Sequence, residues 1–252
     1  MEFRESLVGQ GQVVLIAGGG KIFTDIAARF VGSERELEEI IASPYSAKIV
    51  KNILANGHLA ATEFDYFIFG ISGFSRVTEV QLVRKRLASY LVKSGRVELK
   101  GKRAFSVVYP EKLQDFHFKT TLPTGHTVDL SVHDLIKICS DYYEQGLEQG
   151  LAEEDLRYFK PQATEFKAII GMNVHALRDW FGWRCCQKAQ AEIRDLAWKM
   201  LKLCQEAAPD LFIDAGPRCQ QYGYCPELSQ HALCALQHKC LSRSQALERL
   251  KN

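Results

Sequence analysis

The stretch Arg84-Lys85-Arg86-Leu87-Ala88-Ser89-Tyr90-Leu91-Val92-Lys93-Ser94-Gly95-Arg96 puts five cations into thirteen residues. Guanidinium forks, a hydroxyl and the backbone N–H groups at Gly95 are the parts that grip a phosphate dianion in bidentate fashion. A solvated basic face is the other reading this composition allows. The rest of the chain narrows the choice through its charge, with 32 Lys+Arg against 30 Asp+Glu in 252 residues and a net charge of +2. So even a balance offers no long-range field to a polyanion. Nucleic acid and acidic membrane surfaces are therefore not expected as partners, and the cluster must act locally on a small anion.

Working outward, Ser75 offers an N-cap for a helix running through Gln81, Arg84 and Arg86, preceded by an aromatic, β-branched strand over 64–71. Further upstream, the strand-like Val13-Val14-Leu15-Ile16-Ala17-Gly18 meets a Gly18-Gly19-Gly20 turn. That triplet lacks the GxGxxG and P-loop spacings and reads as a plain turn before it reads as a phosphate cradle. Helical segments follow over 22–30, 34–42 and 47–56, the last ending at Gly57 as a C-cap does. Downstream, 105–109 reads as a strand, 116–121 and 127–132 as a hairpin around Pro123-Thr124-Gly125, and 133–149 as a helix. A strand over 166–172 leads into a helical region from about 174 to 207. On it Leu177, Phe181, Arg184, Lys188 and Glu192 fall near one side by i+3 and i+4 spacing. Pro209 and Gly216-Pro217 close that region. Strands and helices alternate irregularly, which predicts an α+β fold: a mixed or antiparallel sheet flanked by helices, with a long C-terminal helical region.

With 46% apolar and 25% charged residues the chain is a globular protein, not a disordered, collagenous or coiled-coil one. Its length fits one large domain or two small ones. The opening Met1-Glu2-Phe3-Arg4-Glu5-Ser6-Leu7 mixes charges where a signal peptide needs a basic and then an apolar stretch, and no apolar run reaches the roughly eighteen residues of a bilayer span. The eight cysteines, among them the adjacent Cys185 and Cys186 in a helical stretch, do not form a secreted disulfide framework; they read as reduced, the pair as buried, and the location as cytoplasmic. His117, His126 and His133 receive no role.

The basic stretch resembles the signature of the flavin-dependent thymidylate synthases, Arg-His-Arg, seven residues, then Ser; here Arg84-Lys85-Arg86 is followed by seven residues and Ser94. More of the chain agrees. Gly57-His58 stands before a strand, Gln81 just ahead of the motif, and Ser94-Gly95-Arg96 at its end. The far half carries Asp155-Leu156-Arg157-Tyr158 with Pro161, Ala163-Thr164-Glu165-Phe166-Lys167, Asn173, and Arg184-Cys185-Cys186-Gln187-Lys188-Ala189-Gln190-Ala191-Glu192-Ile193-Arg194. Ala215-Gly216-Pro217, Cys219 and Cys225-Pro226-Glu227 resemble the C-terminal end of that family. The likeness sets one synthase-like domain over 1–227 and a Cys- and His-containing tail over 228–252.

The resemblance implies a homotetramer of α+β subunits that methylates deoxyuridine monophosphate (dUMP) in nucleotide biosynthesis, with methylenetetrahydrofolate as carbon donor, reduced FAD as hydride carrier and NADPH to recharge the flavin. It implies that Gln81, Arg84, Ser94, Gly95, Arg96 and Lys167 hold the nucleotide, some across a subunit interface. Arg184 would sit against the uracil as the catalytic cation, stabilising the charge that develops as the imide ionises. A salt bridge from Arg184 to Glu192 or Asp179 is the alternative that spacing alone allows. Ser94 is assigned to phosphate binding, not to attack, because no His and carboxylate accompany it in the motif. His58, Glu63, Arg84, Lys85, Arg86, Asn173, His175 and Asp179 would face the cofactor.

The departures concentrate on the flavin and folate side. Lys85 replaces the histidine of the motif, Ala60 and Ala61 a hydroxyl residue and a proline, and Glu63-Phe64 a Glu-His pair. His175 stands for an arginine that grips FAD, Val92 for a Glu or Gln, Asp179 for an Asn or His, and Ala191 for a Trp. A nucleotide-binding paralogue without flavin catalysis is the rival expectation. The hairpin over 116–132 looks like an insertion able to cover or reshape the active cleft. In the tail, Cys219, Cys225, Cys234 and Cys240 with His231 and His238 are soft ligands in number sufficient for zinc, but the short-range pairs typical of structural zinc are missing, so no metal is assigned.

Overall fold

The computed structural model describes residues 5–19, 22–94, 105–227, 234 and 240–249. In chain order it contains β1 (Glu5–Leu7), β2 (Gln12–Ala17), α1 (Phe23–Gly32), α2 (Leu37–Ala42), α3 (Ala47–Ala55), a 3-10 turn (Leu59–Phe64), β3 (Tyr66–Ser75), α4 (Arg76–Leu82) and β4 (Ser89–Val92). There follow β5 (Val107–Tyr109), β6 (His117–Thr121), β7 (Thr127–Ser131), α5 (Val132–Glu148), α6 (Glu153–Leu156), a 3-10 turn (Arg157–Phe159) and β8 (Glu165–Asn173). The remainder is helical: α7 (Val174–Arg184), α8 (Ala191–Ala207), α9 (Pro209–Phe212), α10 (Arg218–Tyr222) and α11 (Arg243–Arg249). Strands β2-β3-β8-β4 form a four-stranded sheet in that order, β1 pairs with β5 in parallel, and β6 with β7 antiparallel. The architecture is α+β, as the irregular alternation predicts.

The chain divides into two compact units, the first comprising Met1–Gln12, Ile71–Arg84 and Leu91–Ala168, the second Val13–Gly70, Lys85–Tyr90 and Ile169–Asn252. In the first, Phe105, Val107, Tyr109, Ile136, Tyr143 and Leu156 form the core, with the Phe105 and Tyr143 rings edge to face at 6.3 Å. The amphipathic α5 starts on a capping box, Ser131 and Asp134 bonding each other's backbone N–H. This reciprocal bonding satisfies two donors that a helix start leaves open. The hairpin is present with Thr121 opposite Thr127, and across it His117 lies 3.5 Å from Asp129.

In the second unit the rings of Phe67, Phe181 and Phe212 interlock, Phe67 and Phe212 at 5.4 Å and 90°. The buried faces of α7 and α8, among them Leu177, Trp180, Leu196, Met200 and Leu201, pack in the same unit. Each such side chain contributes about 1.5–3 kcal/mol of transfer free energy. Gly18 and Gly19 serve this packing, since a side chain at Gly18 would meet the Phe67 ring and one at Gly19 the Ala207 carbonyl. Close approach and positive φ, +133 at Gly18 and +77 at Gly19, account for both glycines, without an assigned turn; Gly20 lies outside the described residues.

Three expectations are corrected. The helix begun after Ser75 ends at Leu82, so Arg84, Lys85 and Arg86 ride on the connection into β4, which helix periodicity had hidden. Pairing beside β8 outweighs helix continuation for Ser89-Tyr90-Leu91-Val92, whose aromatic and β-branched residues suit a pleated surface. The helical region from 174 to 207 is two helices, because Gln190 caps a new start by accepting the Ile193 N–H at 3.1 Å while Arg194 donates to the Gln187 and Ala189 carbonyls at 3.0 Å each. Arg184 and Lys188 therefore do not share one helix face. The strand expected over 64–71 is shifted to Tyr66–Ser75, behind a 3-10 turn. Of the adjacent cysteines, Cys185 is buried and Cys186 half-buried.

Candidate active site

The second unit holds most of the residues that the resemblance assigns to the cofactor. His58 follows α3 through a Schellman motif, in which Gly57 adopts φ +73, its N–H donates to the Leu54 carbonyl at 3.1 Å and the His58 N–H to Ile53 at 2.9 Å. Glycine is favoured there because a Cβ penalises the left-handed region. From the following 3-10 turn Glu63 reaches out to His175, with 3.4 Å between its Oε1 and the His175 Nδ1. That nitrogen is buried and finds no hydrogen-bond partner among the described residues. Asn173 is spent locally: its Oδ1 accepts the Ala176 N–H at 2.8 Å and caps α7.

Lys85 and Asp179, both departures from the family pattern, stand together, the ammonium 2.6 Å from the carboxylate although 94 residues separate them. Arg218 approaches the other carboxylate oxygen at 3.4 Å, its guanidinium lying 3.3 Å over the Trp183 ring. Burial pulls the Asp179 carboxyl upward, but the Lys85 hydrogen bond and charge and the Arg218 charge outweigh it, leaving the group below its ordinary value. A departure at one position is thus answered by a departure at the other. His175, a departure, stands instead beside Glu63, which matches the family pattern. Arg86 is exposed, and Arg184, half-buried, is the last residue of α7, closed by the Cys185 N–H bonding the Phe181 carbonyl at 3.0 Å. Asp179 pairs with Lys85 and Arg218, and Lys188 with Glu227 at 3.1 Å.

The first unit holds the described residues that the resemblance gives to the nucleotide, apart from Arg184. Gln81 lies on α4, its amide turned back to the Val77 carbonyl at 3.3 Å. Arg84 and Ser94 are exposed, and Lys167 occupies an outward position of β8 between the buried Phe166 and Ala168. Pairing of the Lys93 N–H with the Lys167 carbonyl at 2.8 Å fixes Ser94 close along the sequence to Lys167 in space. Gly95 and Arg96 lie outside the described residues.

Sequence reading missed a cavity in this unit of about 390 Å³, lined by Arg76, Arg157, Tyr158, Lys160, Pro161 and Gln162. Three cations border it. Arg76 enters from the start of α4, held by Glu79 at 3.1 Å, and Arg157 from the 3-10 turn after α6. The Lys160 ammonium rests 4.5 Å from the centre of the Tyr143 ring, a position in which an aromatic face stabilises a cation. A signal was available in Arg157-Tyr158-Phe159-Lys160-Pro161, where two cations flank aromatic residues ahead of a proline. Dispersed over two segments, however, they form no cluster along the sequence. Among the described residues no helix is long and apolar enough to cross a membrane.

Residues 21–210 match the family model described as thymidylate synthase complementing protein. The chain is 37% identical to the flavin-dependent thymidylate synthase of Geobacter sulfurreducens over 78% of its own length and 80% of that protein's. It is 36% identical to the enzyme of the same name from Pyrococcus abyssi over 69% and 70% of the two chains. Among solved structures, a UMP/dUMP methylase, PolB from Streptomyces cacaoi, bound with 5-Br dUMP, superposes with a TM-score of 0.64 at 18% identity, covering 84% of this chain and 96% of that one, a likeness of fold. With the family model matching most of the chain and relatives above one-third identity along it, the chain belongs to the flavin-dependent thymidylate synthase family.

Proposed function

We propose that this chain methylates dUMP to thymidine monophosphate, with methylenetetrahydrofolate as carbon donor, FAD as hydride carrier and NADPH as its reductant, as a homotetramer in the cytoplasm. The observation that carries the reading is the cavity bordered by Arg76, Arg157 and Lys160 in a chain of this family. A phosphate dianion suits the guanidinium forks of Arg76 and Arg157, and the Lys160 ammonium, buried against the Tyr143 ring, adds positive charge behind them. Gln81, Arg84, Ser94, Gly95, Arg96 and Lys167 complete the hold on the nucleotide, and Arg184 supplies a fixed positive charge for the ionising uracil.

The residues present fit a flavin nucleotide in the chemistry of their donors. Arg86 presents an exposed guanidinium suited to pyrophosphate oxygens, while the His175 ring, its Nδ1 buried and 3.4 Å from Glu63, can border the cofactor through its remaining face. FAD, when bound, supplies the hydride transfer that amino-acid side chains cannot. Lys85 orients Asp179, and Asn173 fixes the start of α7 on which His175 sits. The engagement of Lys85 by Asp179 also supports a second reading, a nucleotide-binding relative in which the motif's central residue no longer serves the cofactor.

Formation of thymidine monophosphate from dUMP, methylenetetrahydrofolate, FAD and NADPH tests the first reading, with a parallel visible-absorption titration by FAD with and without dUMP. Turnover and a flavin spectrum that responds to dUMP are expected. An unperturbed flavin with dUMP binding intact selects the nucleotide-binding relative instead. Within the same assays, Arg157→Ala is expected to weaken dUMP binding about 10- to 150-fold, the equivalent of one charge-assisted contact worth about 1.5–3 kcal/mol. A dissociation constant within about twofold of wild type, well under the 1.4 kcal/mol that a tenfold change represents, removes the cavity from nucleotide binding.

A further inference from the structure

Four cysteines near the C-terminus fall in two arms of equal spacing, Cys219-x5-Cys225 and Cys234-x5-Cys240. The fold brings the arms together. Cys219 lies on α10, which Gly223 ends in the left-handed region, and the chain then pairs with the segment around Leu241. Tyr224 and Leu241 form a parallel bridge, with the Cys225 N–H donating to the Leu241 carbonyl at 2.7 Å and the Leu241 N–H to Gly223 at 3.3 Å. The Cys219 thiol hydrogen-bonds the Cys240 sulfur, to which the Cys225 backbone N–H also points, and Cys225 and Cys234 lie within electrostatic reach of both. All four are half-buried free thiols.

We propose that Cys219, Cys225, Cys234 and Cys240 form a structural site for a thiophilic divalent cation, zinc by preference. Four sulfur donors with no carboxylate among them match a closed tetrahedral zinc centre, which leaves no open position for catalysis. Binding converts four S–H bonds into four S–Zn bonds and releases four protons, with no change of oxidation state. Among the described residues no three ligand side chains already stand in metal-ligating geometry. The sulfurs therefore turn inward as the metal arrives, in keeping with the rarity of fully preformed sites. The Tyr224–Leu241 bridge places Cys225 and Cys240, their chain neighbours, on paired backbone. The site is independent of the methylation reading and would join the segment after α10 to the last helix, α11.

The test uses the full chain, purified reduced from zinc-supplemented cells and desalted over chelating resin, with metal measured by mass spectrometry. About one zinc per chain is expected, as for a structural site of four thiolates. Cys139→Ser, which changes a thiol of the first unit, should retain it, whereas Cys225→Ser with Cys240→Ser should lose it at least tenfold. A second arm uses wild-type protein stripped by chelator: cobalt added to it should give the thiolate-to-metal charge-transfer bands of tetrahedral sulfur coordination, and zinc but not magnesium should restore its thermal midpoint. Wild-type protein that carries less than about one-tenth zinc per chain and gives no cobalt spectrum overturns the proposal. So does an intact mass showing the four sulfurs paired as disulfides in protein kept reduced.

Discussion

Arg184→Ala is expected to lower kcat for dUMP methylation by about 10²–10³-fold, the usual cost of removing one group that stabilises developing negative charge. The residue ends α7, whose C-terminal carbonyls favour a cation there, and it is half-buried. Arg184→Lys keeps the charge but loses the planar fork, and should recover part of the rate. Single-turnover measurements, with dUMP affinity recorded alongside, separate this from a binding defect. A rate within threefold of wild type in a folded variant places the catalytic cation elsewhere. The substitution leaves Leu177, Trp180 and Phe181, among the buried residues of α7, unchanged.

The second large effect concerns stability. Asp65 is 6% exposed, and its carboxylate accepts the Phe23 N–H at 2.9 Å, the Thr24 N–H at 2.8 Å and the Thr24 hydroxyl at 2.5 Å. Its backbone carbonyl takes the Val174 N–H at 2.9 Å, the first donor of α7. Helix α1 follows Ile22, whose side chain cannot cap it, so the cap comes from a residue about forty positions away. Asp65→Ala leaves two N–H groups and a buried hydroxyl unpaired and is expected to cost about 3 kcal/mol, since each orphaned buried group costs about 1–3 kcal/mol before water and relaxation recover part of it. For a chain of this size that is a fall of roughly 6–12 °C in Tm, at about 2–4 °C per kcal/mol. Asp65→Asn keeps one acceptor and should fall less. Calorimetry of the three proteins decides it; equal midpoints would mean the cap is dispensable.

The resemblance carried by Arg84-Lys85-Arg86, Ser94 and the far-half segments gave the family, and turn chemistry at Gly57 and Gly125 gave the positions of a helix end and a hairpin. Other features depended on pairings between distant residues. The break before Ala191 has neither glycine nor proline to announce it; it rests on a Gln190 cap and on Arg194 bonding carbonyls behind it. The strand β4 hides in a sequence that helical spacing also fits. Arg157 and Lys160 belonged to a stretch already matched to the family but gained a role only when α4 brought Arg76 to the same cavity.

The sequence by itself determined the α+β class, most elements and family membership, because local periodicity, turn residues and motif spacing are written in neighbouring positions. Tertiary structure alone decided that Lys85 answers Asp179, that Glu63 faces His175, that Asp65 caps α1, and that two arms of cysteines meet. Each of these is a charge or hydrogen-bond match between residues far apart in the chain. Such matches have no period to read, and exist only once burial and strand pairing have fixed which surfaces meet.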